Sequence, residues 1–335
     1  MLTSLSLIFL VGLAMAAICQ RIKVPRIIGM LVTGIILGPF VLNVLDSSIL
    51  NISAELRQIA LIIILIKAGL SLNLSDLKKV GRPAVMMACV PACMEIIGYF
   101  LFAPKLLGVS SIDAAVMGAV LAAVSPAVVV PRMIHLIENK YGTDKSIPQL
   151  ILAGASCDDI FVIVLFSTFV SMAEGGKANI MDFANIPVSI ILGILLGAFV
   201  GFVLALFFET AYVHKQIVRN SMKVVIVLGV SFMLMAIETW AKGMVSVSGL
   251  LAVVSMACVL KIKSVSSVSQ RLSEKFGKLW IAAEVILFVL VGSAVDIRYT
   301  LNAGIVAVGM IFIALVFRSV GVMICMLGTQ LTFKE

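Results

Sequence analysis

The stretch Ala153-Gly154-Ala155-Ser156-Cys157-Asp158-Asp159-Ile160 places two adjacent carboxylates in the middle of an apolar run from Pro148 to Met172. Burying one ionised Asp at the centre of a bilayer costs about 2.5–3.5 kcal/mol even on the scale derived from insertion experiments. Two adjacent Asp residues at this depth are expected only where a function offsets their cost. We therefore interpret them as a site for which a small cation and protons compete. The alternative is that neighbouring donors satisfy both carboxylates, which then only fasten helices together.

The composition indicates an integral membrane protein. Of the 335 residues, 62% are hydrophobic and 13% charged, and the mean hydropathy is +1.20, too apolar for an ordinary soluble domain. The net charge of +8 does not indicate a nucleic-acid partner, because the basic residues are dispersed over many short loops. The six cysteines lie within or at the ends of apolar runs, where buried thiols are the expected state.

Eleven apolar segments predict an all-α, polytopic membrane protein. Segments of about 17–25 apolar residues are long enough to cross a hydrocarbon core of about 30 Å as helices. Their approximate ranges are 2–19, 25–42, 55–71, 83–103, 112–131, 148–172, 187–208, 222–239, 244–260, 278–295 and 301–328. No loop between them is long enough to form a separate domain.

The basic residues of the loops predict the orientation in the membrane. The first four odd-numbered loops carry three Lys or Arg each and the fifth carries five, whereas each even-numbered loop carries one. Loops rich in Lys and Arg remain in the cytoplasm. The alternation therefore predicts a cell-membrane protein with its N-terminus outside and its C-terminus in the cytoplasm.

A small set of ionisable residues lies within the predicted spans. Its members are Lys67, Glu95, Asp158, Asp159, Glu284 and Arg318. Opposite charges at membrane depth are expected to find each other or water. Lys67 lies near the cytoplasmic end of its span, so its side chain could instead extend to the membrane surface.

The fifth span contains a helix-breaking sequence, Val124-Ser125-Pro126, followed by Pro131. Pro126 has no N–H and disfavours helical angles at Ser125, so the helix is expected to open there. Freed carbonyls and the Ser125 hydroxyl would then be oxygen ligands at membrane depth, where irregular backbone is tolerated only inside protein or beside water. A simple proline kink whose polar groups are satisfied by a neighbouring helix is the alternative.

Four segments together resemble the monovalent cation/proton antiporter superfamily, and more closely its double-aspartate branch of NapA-type sodium/proton antiporters. They are Lys23-Val24-Pro25-Arg26-Ile27-Ile28-Gly29 with Gly34-Ile35-Ile36-Leu37-Gly38-Pro39, Leu65-Ile66-Lys67-Ala68-Gly69-Leu70, Val124-Ser125-Pro126-Ala127-Val128-Val129-Val130-Pro131 and Ala155-Ser156-Cys157-Asp158-Asp159-Ile160. The resemblance runs from the first span to the last residue.

The resemblance implies a thirteen-span antiporter built from two inverted repeats around a midplane site. Scaffold helices would occupy about 1–71 and 222–295, and core helices about 83–172 and 301–328. Because only eleven spans are present, we expect the chain to be truncated at its C-terminal end, beyond residue 335, before a second unwound helix. The resemblance also implies a homodimer in the lipid bilayer that needs no cofactor.

The resemblance implies exchange of Na⁺ or Li⁺ for H⁺, and no enzymatic activity. Asp159 would be the main carrier of the cation and the proton, with Asp158 as its partner in charge. The Ser125 hydroxyl and the carbonyls freed beside Val124 and Pro126 would complete the Na⁺ ligands. The offset of seven between the repeats pairs span four with span eleven, which predicts a buried Glu95–Arg318 ion pair.

Three alternatives remain at this point. A Kef-like potassium/proton antiporter is similar, although such systems usually have one acidic residue at this position and a large nucleotide-binding domain. A truncated chain could also be an inactive fragment. An intramembrane aspartyl protease needs two carboxylates on different helices, whereas Asp158 and Asp159 are neighbours about 100° apart on one helix.

Overall fold

The apolar segments form a bundle of α-helices. The computed structural model describes residues 1–71, 81–124, 126–173, 180–213, 220–241, 245 and 247–329. Within those ranges the helices are α1 (Leu2–Arg21), α2 (Arg26–Leu37), α3 (Ser47–Asn51), α4 (Ser53–Ser71), α5 (Gly81–Leu107), α6 (Ser111–Ala122), α7 (Pro126–Glu138), α8 (Ile147–Ala173), α9 (Ile180–Val213), α10 (Asn220–Ala241), α11 (Gly249–Lys263), α12 (Ser266–Ser293) and α13 (Ile297–Met326). The prediction of an all-α, polytopic membrane fold is confirmed.

Six helices of the described ranges are each long and apolar enough to cross a membrane, judged by length and composition. They are α1, α5, α9, α10, α12 and α13. Other predicted spans are shorter: α2 and α6 have 12 residues each and α11 has 15. The segment predicted as span five is divided, because α6 ends at Ala122 and α7 begins at Pro126.

The helices pack as two groups. In the group we name the scaffold, α12 packs on α1, α2 and α4, and α11 packs on α4, α9 and α10. In the group we name the core, α5 packs on α6, α8 and α13, and α6 also packs on α8. The larger buried apolar cluster, which includes Phe276 and Leu290, lies mostly in the scaffold and also includes Leu152 of α8, whereas Ala92 and Ala119 belong to a smaller cluster of the core.

Helix α7 lies between the two groups. It packs on α8 of the core and on α4 of the scaffold. Val130 and Ile134 of α7 are 1% and 2% exposed and belong to the apolar cluster of the scaffold. The helix that begins at the break is therefore one of the elements that join the core to the scaffold, and α8 is another, because it also packs on α9 and α11.

Glycines bring neighbouring helix backbones unusually close. A Cβ at Gly34 of α2 would lie 2.0 Å from the Val289 carbonyl oxygen of α12. A Cβ at Gly321 of α13 would lie 2.8 Å from the Cα of Pro91 in α5. Small residues permit such contact inside membranes, where apolar side chains gain little from leaving lipid. The close approach of α13 to α5 places Arg318, one turn earlier, against the core.

Candidate functional site

The interrupted segment between α6 and α7 forms one wall of the site. Helix α6 ends at Ala122, and Ala123 is extended, with φ −62° and ψ 125°. The Val124 N–H, which no helix can satisfy here, donates to Oδ2 of Asp158 at 3.3 Å. Ser125 lies outside the described residues, and Pro126 is the first residue of α7, a position where a missing N–H costs little.

Asp158 lies on α8 and faces this break. Its side chain is 3% exposed, and Nη2 of Arg318 lies 3.8 Å from its Oδ2. A carboxylate buried to this extent needs a nearby positive charge or donors, and Arg318 and the Val124 N–H supply both. The backbone of Asp159 continues α8, but its side chain lies outside the described residues.

Arg318 connects three elements of the core. Its Nη1 donates to Oε2 of Glu95 on α5 in a short contact, and to the Ala122 carbonyl oxygen at the end of α6 at 2.8 Å. The third contact is with Asp158 of α8. The Glu95 side chain is 7% exposed and that of Arg318 is 21% exposed. The planar guanidinium has five donors in a fixed arrangement, which suits it to several acceptors at once.

A cavity of about 690 Å³ reaches this charged group. It lies between α5, α8 and α13, and Pro91, Asp158 and Arg318 line it together with apolar residues such as Met87 and Met323. Residues from the predicted cytoplasmic ends of these helices also line it, among them Ile147 and Met326. A cavity of this shape can bring water and small ions to Asp158.

The remaining intramembrane charges lie outside this site. The Lys67 ammonium contacts Glu138 Oε1 at 3.3 Å and Ser273 Oγ at 3.1 Å, so the pairing of Lys67 is within the protein. Glu284 is 9% exposed. It lines a second cavity of about 450 Å³ between α2, α7 and α12, together with Arg26.

Sequence reasoning missed two features of this arrangement. The Ala122 carbonyl accepts from Arg318, and Glu138 pairs with Lys67. A backbone carbonyl that accepts a hydrogen bond cannot be recognised from the residue type, because every residue has one. The sequence did contain a signal for the partner of Lys67, because a buried ammonium near the end of α4 requires an acidic residue at the same membrane depth.

Comparison with known proteins identifies similar sequences and solved structures with a similar fold. A family model described as "Sodium/hydrogen exchanger, transmembrane" matches residues 5–335. Sodium/hydrogen exchanger 9B2 of Mus musculus is 34% identical over 186 residues, which are 55% of this chain and 34% of that protein. Sodium/hydrogen exchanger 9B1 of Homo sapiens is 41% identical over 152 residues, 44% of this chain and 30% of that protein. The match thus spans about a third of these curated relatives.

A solved structure has the same fold. The sodium proton antiporter MjNhaP1 from Methanocaldococcus jannaschii, determined at pH 8, aligns with a TM-score of 0.75 and 22% sequence identity. The alignment covers 99% of this chain and 80% of that one. At this identity the likeness establishes the architecture of the helices.

Proposed function

The chain belongs to the sodium/hydrogen exchanger family, a family of transporters rather than enzymes, and we propose that it exchanges Na⁺ or Li⁺ for H⁺ across a membrane. One observation carries the proposal: Asp158 is buried beside a broken helix, faces a cavity and contacts a fixed positive charge. Irregular backbone at membrane depth is found where it lines a water-filled route or is enclosed by protein.

The two carboxylates have different roles in this proposal. In this proposal the Arg318 guanidinium and the Val124 N–H compensate the negative charge of Asp158. Asp158 then has a structural role, because its carboxylate accepts a hydrogen bond from the Val124 N–H beside the break. Asp159, the adjacent residue, is the carrier that binds either the cation or the proton.

Oxygen ligands for the cation are available around the break. Na⁺ and Li⁺ are hard cations, and by analogy with other hard cations they prefer carboxylate, carbonyl, hydroxyl and water oxygens. We assign Asp159, Asp158 and Ser125 as ligands, with carbonyls freed between Val124 and Pro126. The adjacent pair Asp158-Asp159 supports our proposal that the chain belongs to the double-aspartate branch of the superfamily.

Alternating access would come from movement of the core against the scaffold. Most of the larger buried cluster lies in the scaffold and a smaller one lies in the core, and both α7 and α8 pack on helices of the scaffold. Rigid movement of one helix group past another around a fixed site is the general mechanism of transporters with inverted repeats. The working protein is proposed to be a homodimer in the cell membrane.

Proton movement in lipid vesicles tests the exchange function. Vesicles that contain the purified protein and a pH-sensitive dye should show proton movement when Na⁺ or Li⁺ is added, and Asp159→Asn should abolish it. Glu274→Gln, at an exposed position of α12, is the matched control and should transport normally. Potassium in place of sodium distinguishes the Kef-like alternative. No response to any of the three cations would disprove exchange by this chain.

A further inference from the structure

The Lys67–Glu138 ion pair crosses from the scaffold to the helix that begins at the break. Lys67 is on α4, one turn before its end at Ser71, and Glu138 is the last residue of α7. The pair therefore fixes the far end of α7, about 18 Å along the helix from Pro126, given a rise of about 1.5 Å per residue. Neither side chain lines the cavity that reaches Asp158.

The two partners have opposite environments. The Lys67 side chain is 11% exposed and that of Glu138 is 58% exposed. Lys67 also donates to Ser273 Oγ on α12, at 3.1 Å. If Glu138 leaves, its carboxylate enters water while the ammonium keeps a partner within the scaffold. Separating the pair therefore exposes only one buried charge, that of Lys67, to the loss of its ionic partner, and should cost less than separating two fully buried charges.

The neighbouring cavity gives α7 space to move. This vestibule of about 450 Å³ separates α7 from α2 and α12, and Val128, Pro131 and Gly277 line it. A Cβ at Gly277 would lie 3.9 Å from the Cε of Lys67, so the ion pair lies at the edge of the vestibule. On this side, α7 faces open space rather than a packed helix.

On the premise of the exchange function above, we propose that Lys67 and Glu138 are positioning residues that form a reversible catch. The closed catch ties α7 to the scaffold, and its opening releases α7 to move with the core. Because α7 begins at Pro126, its position sets where the break ends on this side of the proposed ion site. Glu95 and Arg318 differ, since both belong to the core, and we expect their contact to persist through the cycle.

Locking the catch tests whether it must open. In Lys67→Cys/Glu138→Cys, a short bis-methanethiosulfonate cross-linker should lower sodium-dependent proton movement about tenfold or more, and dithiothreitol should restore it, if helix movement gates turnover. Each single-cysteine variant, treated with the same reagent, is the matched control because it keeps the native cysteines but cannot bridge α4 and α7. Unchanged exchange by the cross-linked protein would overturn the proposal.

A second measurement does not depend on transport. Spin labels at Tyr141→Cys, just after α7, and Glu274→Cys, on α12, report the distance between the two elements by pulsed electron paramagnetic resonance. Lys67→Met should change the ratio of short to long distances about two- to fivefold, the range expected for part-exposed ion pairs. Lys278→Met, at an exposed position on α12, should leave the ratio unchanged.

The combined results separate the two proposals. If the distances respond to Lys67→Met but no cation drives proton movement, the catch stands and the exchange function fails. If exchange occurs but Lys67→Met leaves the distances unchanged, the exchange function stands and the catch fails. The charge exchange Lys67→Glu/Glu138→Lys should restore at least half of the distance change, and a swap that behaves like Lys67→Met would also count against the catch.

Discussion

At the residue scale, Arg318 is the side chain on which the described part of the proposed ion site depends. It contacts the Glu95 and Asp158 carboxylates and the Ala122 carbonyl, which belong to three helices. Removing it would leave two buried carboxylates and the end of α6 without this donor. The cost should exceed that of removing either acidic partner, because Arg318 serves several acceptors at once.

A double-mutant cycle tests the Glu95–Arg318 pair. Arg318→Ala should reduce the free energy of unfolding by about 3–5 kcal/mol, the range for breaking a buried ion pair. Glu95→Ala should cost less, and the double variant should cost no more than Arg318→Ala alone, because partners in one network are not additive. Thermal unfolding of the detergent-solubilised protein measures all three.

Arg298→Ala is the matched control for this cycle. Arg298 is on the same helix, α13, and is exposed, so its loss should change stability by less than about 0.5 kcal/mol. Losses at Glu95 and Arg318 that simply add would contradict the pairing.

At the element scale, close backbone contact between α9 and α11 stabilises the scaffold. A Cβ at Gly197 would lie 2.1 Å from the Ala252 carbonyl oxygen, and one at Gly201 would lie 2.5 Å from that of Met256. Ser255 of α11 also donates to the Ile194 carbonyl of α9 at 2.9 Å. Such contacts leave no room for a larger side chain.

Gly197→Ala should therefore separate α9 from α11. The expected loss of stability is about 1–3 kcal/mol, the usual cost of overfilling a packed interface. Gly229→Ala is the control, because a Cβ at Gly229 of α10 would meet nothing within 4 Å; it should be neutral or stabilising by up to about 1 kcal/mol, since Ala favours helix more than Gly. Equal effects of the two substitutions on thermal unfolding would refute the packing role of Gly197.

Helix ends were less predictable than the positions of the helices. Hydropathy located span ten at 278–295, but α12 begins at Ser266 and includes Arg271 and Lys275. Apolar length reports the thickness of the hydrocarbon core, whereas a helix can continue into water. Helix α3 was also missed, although Asp46 is a typical cap whose carboxylate accepts from the Ser48 N–H at 2.8 Å.

Contacts between residues far apart in the sequence could not be predicted from the local sequence pattern. The break could be predicted from Pro126 alone, because proline lacks an N–H and clashes with the preceding turn of its own helix. In contrast, Glu95 and Arg318 are 223 residues apart, and their pairing was expected only from the repeat implied by the family resemblance. The order in which helices pack decides such contacts, and residue spacing along one chain does not specify it.

At the scale of the whole molecule, orientation should follow the basic loops. Ser47, in the second loop, is exposed and should face the outside, and Asp144, in the fifth, is exposed and should face the cytoplasm. A membrane-impermeant maleimide should label Ser47→Cys in intact cells, and Asp144→Cys only after the membrane is opened. The parent protein shows the background from native cysteines, and the reverse labelling pattern would invert the topology.

The charge balance of the proposed transport cycle would follow from the pairing of Arg318 with Asp158. Because this guanidinium contacts Asp158, the exchangeable proton is expected on Asp159 alone. One cation should then replace one proton, and the membrane potential should not drive exchange. In vesicles with a set sodium gradient, net proton flux should vanish when the sodium and proton gradients are equal, and an imposed potassium-diffusion potential should leave that point unchanged. A balance point that shifts with voltage would mean that a second proton is carried, and Asp158 would be its nearest candidate.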